Sequence, residues 1–321
     1  MSRFYIGIDT SNYTTSAALY DAESGTFLSN VKHLLTVSQG ERGLRQQDAL
    51  FAHVKNLPEV TAEAFSELAP GKLAAIGASA TPRDNEGSYM PCFLAGKAAA
   101  SSLSAAFHKP LYLFSHQAGH VMAAVYSSKS RDLLSREFLA FHVSGGTTEL
   151  LHIVPRDDSF QIEKIGGTLD LNAGQAIDRA GVMMGLSFPC GPALEKLALA
   201  CTEKPERPQI AVRGCDCNLS GLENKVDGWL KKGDPHEKIA RSLFDFVGRT
   251  LMTMAENALA EKGALPILFA GGVMSNALIK KMIAEKGFDA RFAEPKFSSD
   301  NAAGCALLTA RKGEGDSFWT A

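Results

Sequence analysis

A strand–turn–strand–strand unit occurs twice in this chain, and the duplication constrains the fold more than any other feature. In the first copy, residues 4–9 alternate in polarity and break at Thr10-Ser11-Asn12. The chain resumes over 15–20, turns through 21–25 and returns over 26–33. The second copy runs over 138–143, turns at Ser144-Gly145-Gly146-Thr147-Thr148, returns over 149–154 and adds a strand at 160–165. Helical character follows each triplet, over 48–68 with an interruption at Pro58, and over 169–185. Two copies of such a unit predict an internally duplicated α/β protein in which the two tight turns face each other across a cleft. Gly and Ser/Thr in those turns offer backbone N–H groups and hydroxyls, which suit phosphate; one turn alone reads more readily as a plain hairpin, whereas the matched pair favours phosphate.

The remainder fits this plan. Strands are expected at 73–79 and 110–114, around a helix from 91 to 107. A buried strand at 265–270 ends in Gly271-Gly272 and leads into a helix carrying Ser275 and Asn276 near its start. Segment 203–235 is polar, with prolines, glycines and two cysteines, and reads as a surface excursion.

Three groups of residues carry chemistry. His116-Gln117-Ala118-Gly119-His120 follows the strand at 110–114; on a helix, positions four apart lie on one face, so both imidazoles can share a metal. A satisfied core pair would show the same spacing. Gln117 stands where a zinc protease needs its general-base Glu, which argues against metal-assisted peptide hydrolysis. Asp300, in Ser298-Ser299-Asp300-Asn301 ahead of the apolar helix 302–310, is the candidate third ligand, although a helix N-terminus looks alike. Two histidines and a carboxylate leave coordination positions open and accept iron, zinc or manganese. Within 169–185, Asp170, Gly174 and Asp178 fall at i, i+4 and i+8 on one expected helix face, and Phe188-Pro189-Cys190-Gly191-Pro192 then breaks the chain where backbone can approach a ligand.

Composition excludes some partners. A formal net charge of −2 argues against a uniformly basic surface, so contacts to nucleic acid would be local or shared with other proteins. No apolar run of about eighteen residues occurs, so no membrane span is expected. The six cysteines are scattered and read as free thiols; with no secretory segment at the start, the cytoplasm is the expected compartment.

These motifs, taken in order, resemble the TsaD/YgjD family, the tRNA threonylcarbamoyladenosine synthase component formerly catalogued as an O-sialoglycoprotein endopeptidase (peptidase M22). Gly7-Ile8-Asp9-Thr10-Ser11 looks like its opening phosphate turn, His116-x-x-Gly119-His120 like its metal motif and Val143-Ser144-Gly145-Gly146-x-Thr148 like its second turn. Thr168 through Asp178, Pro189-x-Gly191-Pro192, Ser220-Gly221-Leu222, Gly271-Gly272-Val273-x-x-Asn276 and Asp300-Asn301-Ala302 follow.

The resemblance implies an actin-like, sugar-kinase-like ATPase fold of two duplicated ribonuclease-H-like lobes around a central cleft. Residues 1–115, completed by the C-terminal helix 301–321, would form one lobe and 116–300 the other. It implies one divalent metal, iron or zinc, on His116, His120 and Asp300. ATP or threonylcarbamoyl-AMP would be the ligand of Asp9, Ser11, His142, Val143, Ser144, Gly145, Gly146, Asp178, Gly191, Gly271, Gly272 and Asn276. The implied reaction carries the threonylcarbamoyl group to the adenosine 3′ of a tRNA anticodon, with a small paralogue and an ATPase as partner proteins. The chain departs from the family at Asn12-Tyr13-Thr14 for Cys-Asp-Glu, Asp9 for Glu, Ala118 for Glu and Thr147 for His. It departs again at Leu171-Asn172 for Asp-Ala, Gln175 for Glu and Cys190 for Gly. Such changes mark a diverged paralogue, and the alternative is one that keeps metal and nucleotide but acts on another acceptor or regulates a partner.

Overall fold

A computed structural model describes residues 3–11, 13–36, 44–297 and 301–319. The chain runs β1 (Phe4–Ser11), β2 (Thr14–Asp21), β3 (Thr26–Leu34), α1 (Gln46–Ala64), β4 (Leu73–Thr81), α2 (Phe93–Phe107), β5 (Leu111–Ser115) and α3 (His116–Ser127). It continues through β6 (Phe138–Val143), β7 (Thr148–Pro155), β8 (Phe160–Thr168), α4 (Ala173–Met183), α5 (Gly191–Ala200), β9 (Ala211–Arg213) and β10 (Asp216–Asn218). Then come α6 (Gly221–Lys232), α7 (His236–Lys262), β11 (Ile267–Ala270), α8 (Ala277–Glu285), β12 (Ala290–Phe292) and α9 (Ala302–Glu314).

Two compact units result. One comprises Met1–Ser135, Pro155–Gln161 and Lys296–Ala321, the other Arg136–Val154 and Ile162–Pro295. The division thus falls at 135/136 rather than at the expected 115/116, because α3 packs along α9 and stays with the first unit.

In the first unit the sheet order is β3-β2-β1-β4-β5, with β1, β4 and β5 parallel and β1-β2-β3 antiparallel. Alternation explains its two faces. Ile6 and Ile8 of β1 join a core with Leu57 and Val60 of α1 and Ala95 and Ala100 of α2. Gly7 and Gly77 sit side by side in register on the other face, where α9 lies. A Cβ at Gly7 would collide with the Ala302 carbonyl, and one at Gly77 with Thr309. The two glycines therefore form the groove that brings α9 onto the sheet.

The second unit repeats the order as β8-β7-β6-β11-β12 and extends it beyond β8 with β10 and β9. Phe141, Phe269 and Phe292 are register partners across β6, β11 and β12, and their rings stack at 5.1 and 5.3 Å between centroids.

Three sequence expectations are corrected. Helix α1 runs unbroken through Pro58: that residue is on the exposed face, where the Val54 carbonyl left without an N–H partner can reach water. The segment 203–235 is no mere excursion, since β9, β10 and α6 join the second unit and bury Cys217, Leu222 and Val226 in its core. Asp170 does not share a helix face with Gly174 and Asp178, because α4 begins only at Ala173. Its carboxylate instead accepts the backbone N–H groups of Leu219 and Ser220, at 2.8 and 3.2 Å, and the Ser220 hydroxyl at 2.6 Å. Burial opposes ionisation there, but these donors outweigh it and hold the Asp170 carboxyl well below the usual carboxylate range.

Candidate functional site

In the first unit, the end of β1 meets the start of α3. Ser115 caps α3: its hydroxyl accepts from Ala118 N–H at 3.1 Å and donates to Asp84 at 2.8 Å. Gln117 N–H reaches the Pro82 carbonyl at 3.1 Å, which ties the first turn to the segment after β4. His116 and His120 are then one turn apart, and their Nε2 atoms approach to 3.0 Å. Nδ1 of His116 lies 3.0 Å from Oδ1 of Asp9, which is fully buried.

Burial alone would raise the Asp9 pKa. The charge and hydrogen bond of His116, with hydrogen bonds from Ser79 and Ser11, overcome that and hold it at about 2. An ionised carboxylate only accepts, so the proton of this bond sits on His116 Nδ1, and in the neutral form of the ring the lone pair is then on Nε2, the atom that faces His120. This is the carboxylate–imidazole relation that orients metal-ligating histidines. The donor set therefore fits a divalent metal on the two Nε2 atoms, with Asp9 as the group behind His116. The third expected ligand, Asp300, lies outside the described residues. Among the described residues no group of three His, Cys, Asp or Glu side chains gathers around one point.

The glycine of the histidine motif has a local reason. A Cβ at Gly119 would stand 2.7 Å from the Asn301 amide oxygen, and Gly304 of α9 packs on the Gly119 backbone. Asn301 in turn donates to the His116 carbonyl. Small residues on α3 and α9 thus lock the histidine turn against the start of α9. Asp9 was expected among the nucleotide residues, yet its two oxygens are engaged by His116 and by Ser11 N–H at 3.3 Å. Ser11 ends β1 and closes that small turn.

The second unit holds a cavity of about 270 Å³. Three helix N-termini reach its wall, through Gly174 in the first turn of α4, Gly191 and Pro192 at the start of α5, and Asn276, the N-cap of α8. Gly145 of the β6–β7 turn and Gly272, Val273 and Ser275 after β11 complete the backbone-rich side, while Ile177 and Phe244 supply apolar surface. No Lys or Arg is among the described lining residues, so an anion here would be met by backbone N–H groups and helix dipoles.

Two glycines make this packing possible. A Cβ at Gly174 would sit 2.6 Å from Gly145 N, so the turn lies directly on the start of α4. Gly271, at φ +100°, abuts the Val143 carbonyl, where any Cβ would clash. Both carboxylates of the wall hold backbone. Asp178 accepts Cys190 N–H at 2.8 Å and fixes the approach to α5, and Glu195 accepts Ala277 N–H at 2.6 Å and joins α5 to α8. Each retains an oxygen that can accept a hydroxyl.

Of the residues expected at a nucleotide, Gly145, Asp178, Gly191, Gly272 and Asn276 line this cavity. His142 and Val143 end β6, Gly146 follows Gly145 in the turn, and Gly271 packs on Val143; these four are not among the described lining residues. Ser144 serves its own turn, its hydroxyl accepting Gly146 and Thr147 N–H at 3.3 and 3.1 Å. Sequence reasoning missed Glu195, which helix phase from Gly191 would have found at i+4, and Phe244, which lies mid-helix and reads as core.

The repeated sheet order defines an α/β protein with the actin-like, sugar-kinase-like fold. Component A of the (R)-2-hydroxyglutaryl-CoA dehydratase of Acidaminococcus fermentans is similar over 97% of this chain and 99% of its own, with a TM-score of 0.57 at 14% identity. A ROK family glucokinase from Streptomyces griseus is similar over 95% and 98%, with a TM-score of 0.52 at 13% identity. At such identities the likeness concerns the fold alone. Residues 28–307 match the family TsaD, tRNA N6-adenosine threonylcarbamoyltransferase, and the chain belongs to that family of tRNA-modifying transferases. The tRNA N6-adenosine threonylcarbamoyltransferase of Herminiimonas arsenicoxydans is 27% identical over 322 residues, covering 96% of this chain and 91% of the relative.

Proposed function

We propose that the protein transfers a threonylcarbamoyl group from threonylcarbamoyl-AMP to the adenosine 3′ of the anticodon in tRNA, and that transfer depends on one iron or zinc ion. The observation that carries the reading is the Asp9–His116–His120 chain, with Asp9 buried and both histidines partly exposed, in a member of this family. His116, His120 and Asp300 would hold the metal, which when bound supplies Lewis-acid polarisation of a carbonyl or phosphoryl oxygen. Asp9 keeps His116 in the tautomer whose Nε2 is free to ligate.

In the second unit, Gly145, Gly191, Gly272 and Asn276 would receive the phosphate and ribose of the donor through backbone N–H groups and helix N-termini. Asp178 and Glu195 would accept ribose hydroxyls with the oxygens that their backbone bonds leave open. Ile177 and Phe244 would exclude water from one side of the nucleoside. The small paralogue and the ATPase of the threonylcarbamoylation system would be its protein partners, supplying RNA contacts that a chain of net charge −2 does not carry uniformly. A second reading, an acceptor other than tRNA, is favoured by Tyr13, which is 42% exposed at the β1–β2 turn where the family carries Asp.

Metal-loaded protein incubated with preformed threonylcarbamoyl-AMP and unmodified tRNA, with and without an extract supplying partners, decides between them. Mass spectrometry of the digested tRNA is expected to show modified adenosine, formed by the wild type and not by His116→Ala. Nucleotide binding with no modification in either condition would reject tRNA as the acceptor.

A further inference from the structure

The cavity of the second unit sets positive helix ends against carboxylates of its own wall. The N-termini of α4, α5 and α8 each carry roughly half a unit of positive charge, about 1.5 together. Asp178 and Glu195 stand in the same wall, and no Lys or Arg is among its described residues. Both carboxylates are seated on those helix ends. Asp178 accepts the N–H of Cys190, the N-cap of α5, at 2.8 Å. Glu195 accepts that of Ala277, the first residue of α8, at 2.6 Å. The start of α4 is met from within the protein too. Ala173 N–H bonds the Thr148 hydroxyl at 2.9 Å, and Gly174 N–H bonds the Ser144 carbonyl at 3.1 Å.

A site that holds a chain of phosphates surrounds it with open helix N–H groups and cationic side chains. Here two carboxylate charges offset the partial charges of the helix ends, so the wall keeps no positive surplus. A ribose is not opposed by these groups, because its hydroxyls can donate to the oxygens they leave open. Each phosphate charge beyond the first is repelled by both carboxylates. Ile177 and Phe244 make part of the wall apolar, so that repulsion is screened less than in water. We propose that Asp178 and Glu195 form a charge filter: the cavity takes an adenosine with a single phosphate charge, as an acyl adenylate has, and discriminates against the polyanion ATP. This rests on the cavity being the site of the threonylcarbamoyl-AMP donor.

The test titrates metal-loaded, desalted protein by calorimetry with the methyl ester of AMP, which carries a single charge, and with ATP, without added magnesium. The wild type is expected to bind the ester roughly 10- to 100-fold more tightly than ATP. Glu195→Gln and Asp178→Asn keep an oxygen for their backbone partners and remove the charge. Each is expected to narrow that ratio about 5-fold or more, mainly through tighter binding of ATP. Salt supplies a reading that needs no variant. Between about 0.05 M and about 0.5 M the ratio is expected to narrow in the wild type as repulsion is screened, whereas a cationic phosphate site would lose affinity for ATP. ATP bound by the wild type as tightly as the ester would overturn the filter and leave the donor site standing. A preference for the ester that neither salt nor either substitution moves would assign it to size, and would also overturn the filter. If the wild type binds neither ligand, the cavity is not the donor site and the filter falls with it.

Discussion

Asp9 is a fully buried carboxylate whose ionised state is sustained by its neighbours rather than by water. The chemistry of the first unit turns on that side chain, because its charge fixes which nitrogen of His116 carries the proton. Asp9→Asn keeps the size and an acceptor oxygen but removes the charge. Metal affinity is expected to fall roughly 10- to 100-fold, as for other lost partners behind a ligating histidine, with the far-ultraviolet dichroism unchanged. A competition titration with a chelating dye reads this directly, and wild-type affinity in Asp9→Asn would deny Asp9 its orienting role. The histidine spacing was legible from the sequence, since positions four apart on a helix must coincide. The role of Asp9 was not, because the contact joins residues far apart in the chain and depends on the register of β1 against α3.

Helix α1 shows how one polar contact docks an element. His53 of α1 is fully buried against β2, with Nδ1 2.8 Å from the Thr15 hydroxyl. Burial lowers its pKa from 6.5 to about 4, although the nearby Asp9 charge pulls the other way. The unfolded chain thus binds this proton more readily than the folded one. Stability is full above the unfolded value near 6.5 and is lost as pH falls toward about 4, by a total on the order of 3 kcal/mol. Urea unfolding between pH 7 and about 4 checks this. His53→Gln is expected to flatten that limb, and an unchanged slope would place the acid sensitivity elsewhere.

The longer strands are legible to within three residues at their ends, even β1 and β2 with nearly every residue buried, because turn residues bound them. Helix α7 has buried residues at almost every position from Ile239 to Gly248 and offers no single apolar stripe. The hairpin of β9 and β10 consists of three-residue strands, too short for alternation to register.

At the scale of the molecule, duplication is the organising fact. The order β3-β2-β1-β4-β5 recurs as β8-β7-β6-β11-β12, and the two repeats have been put to different use. The first unit carries the histidines, locked by Gly7, Gly77, Gly119 and Gly304 against α9. The second carries the cavity fed by three helix N-termini. Repeats and glycine turns are local patterns and were readable in the sequence. The cavity wall draws on α4, α5, α7 and the segment after β11, so its full membership required the fold.

The claim on which the account depends most is that His116 and His120 ligate a metal. Metal content per chain, measured by mass spectrometry after anaerobic reconstitution with iron(II) or zinc(II) and desalting, addresses it without assuming any acceptor. The account predicts one ion per wild-type chain and none in His116→Ala or His120→Ala. Full occupancy in either variant, or a wild type that retains no metal, would contradict it.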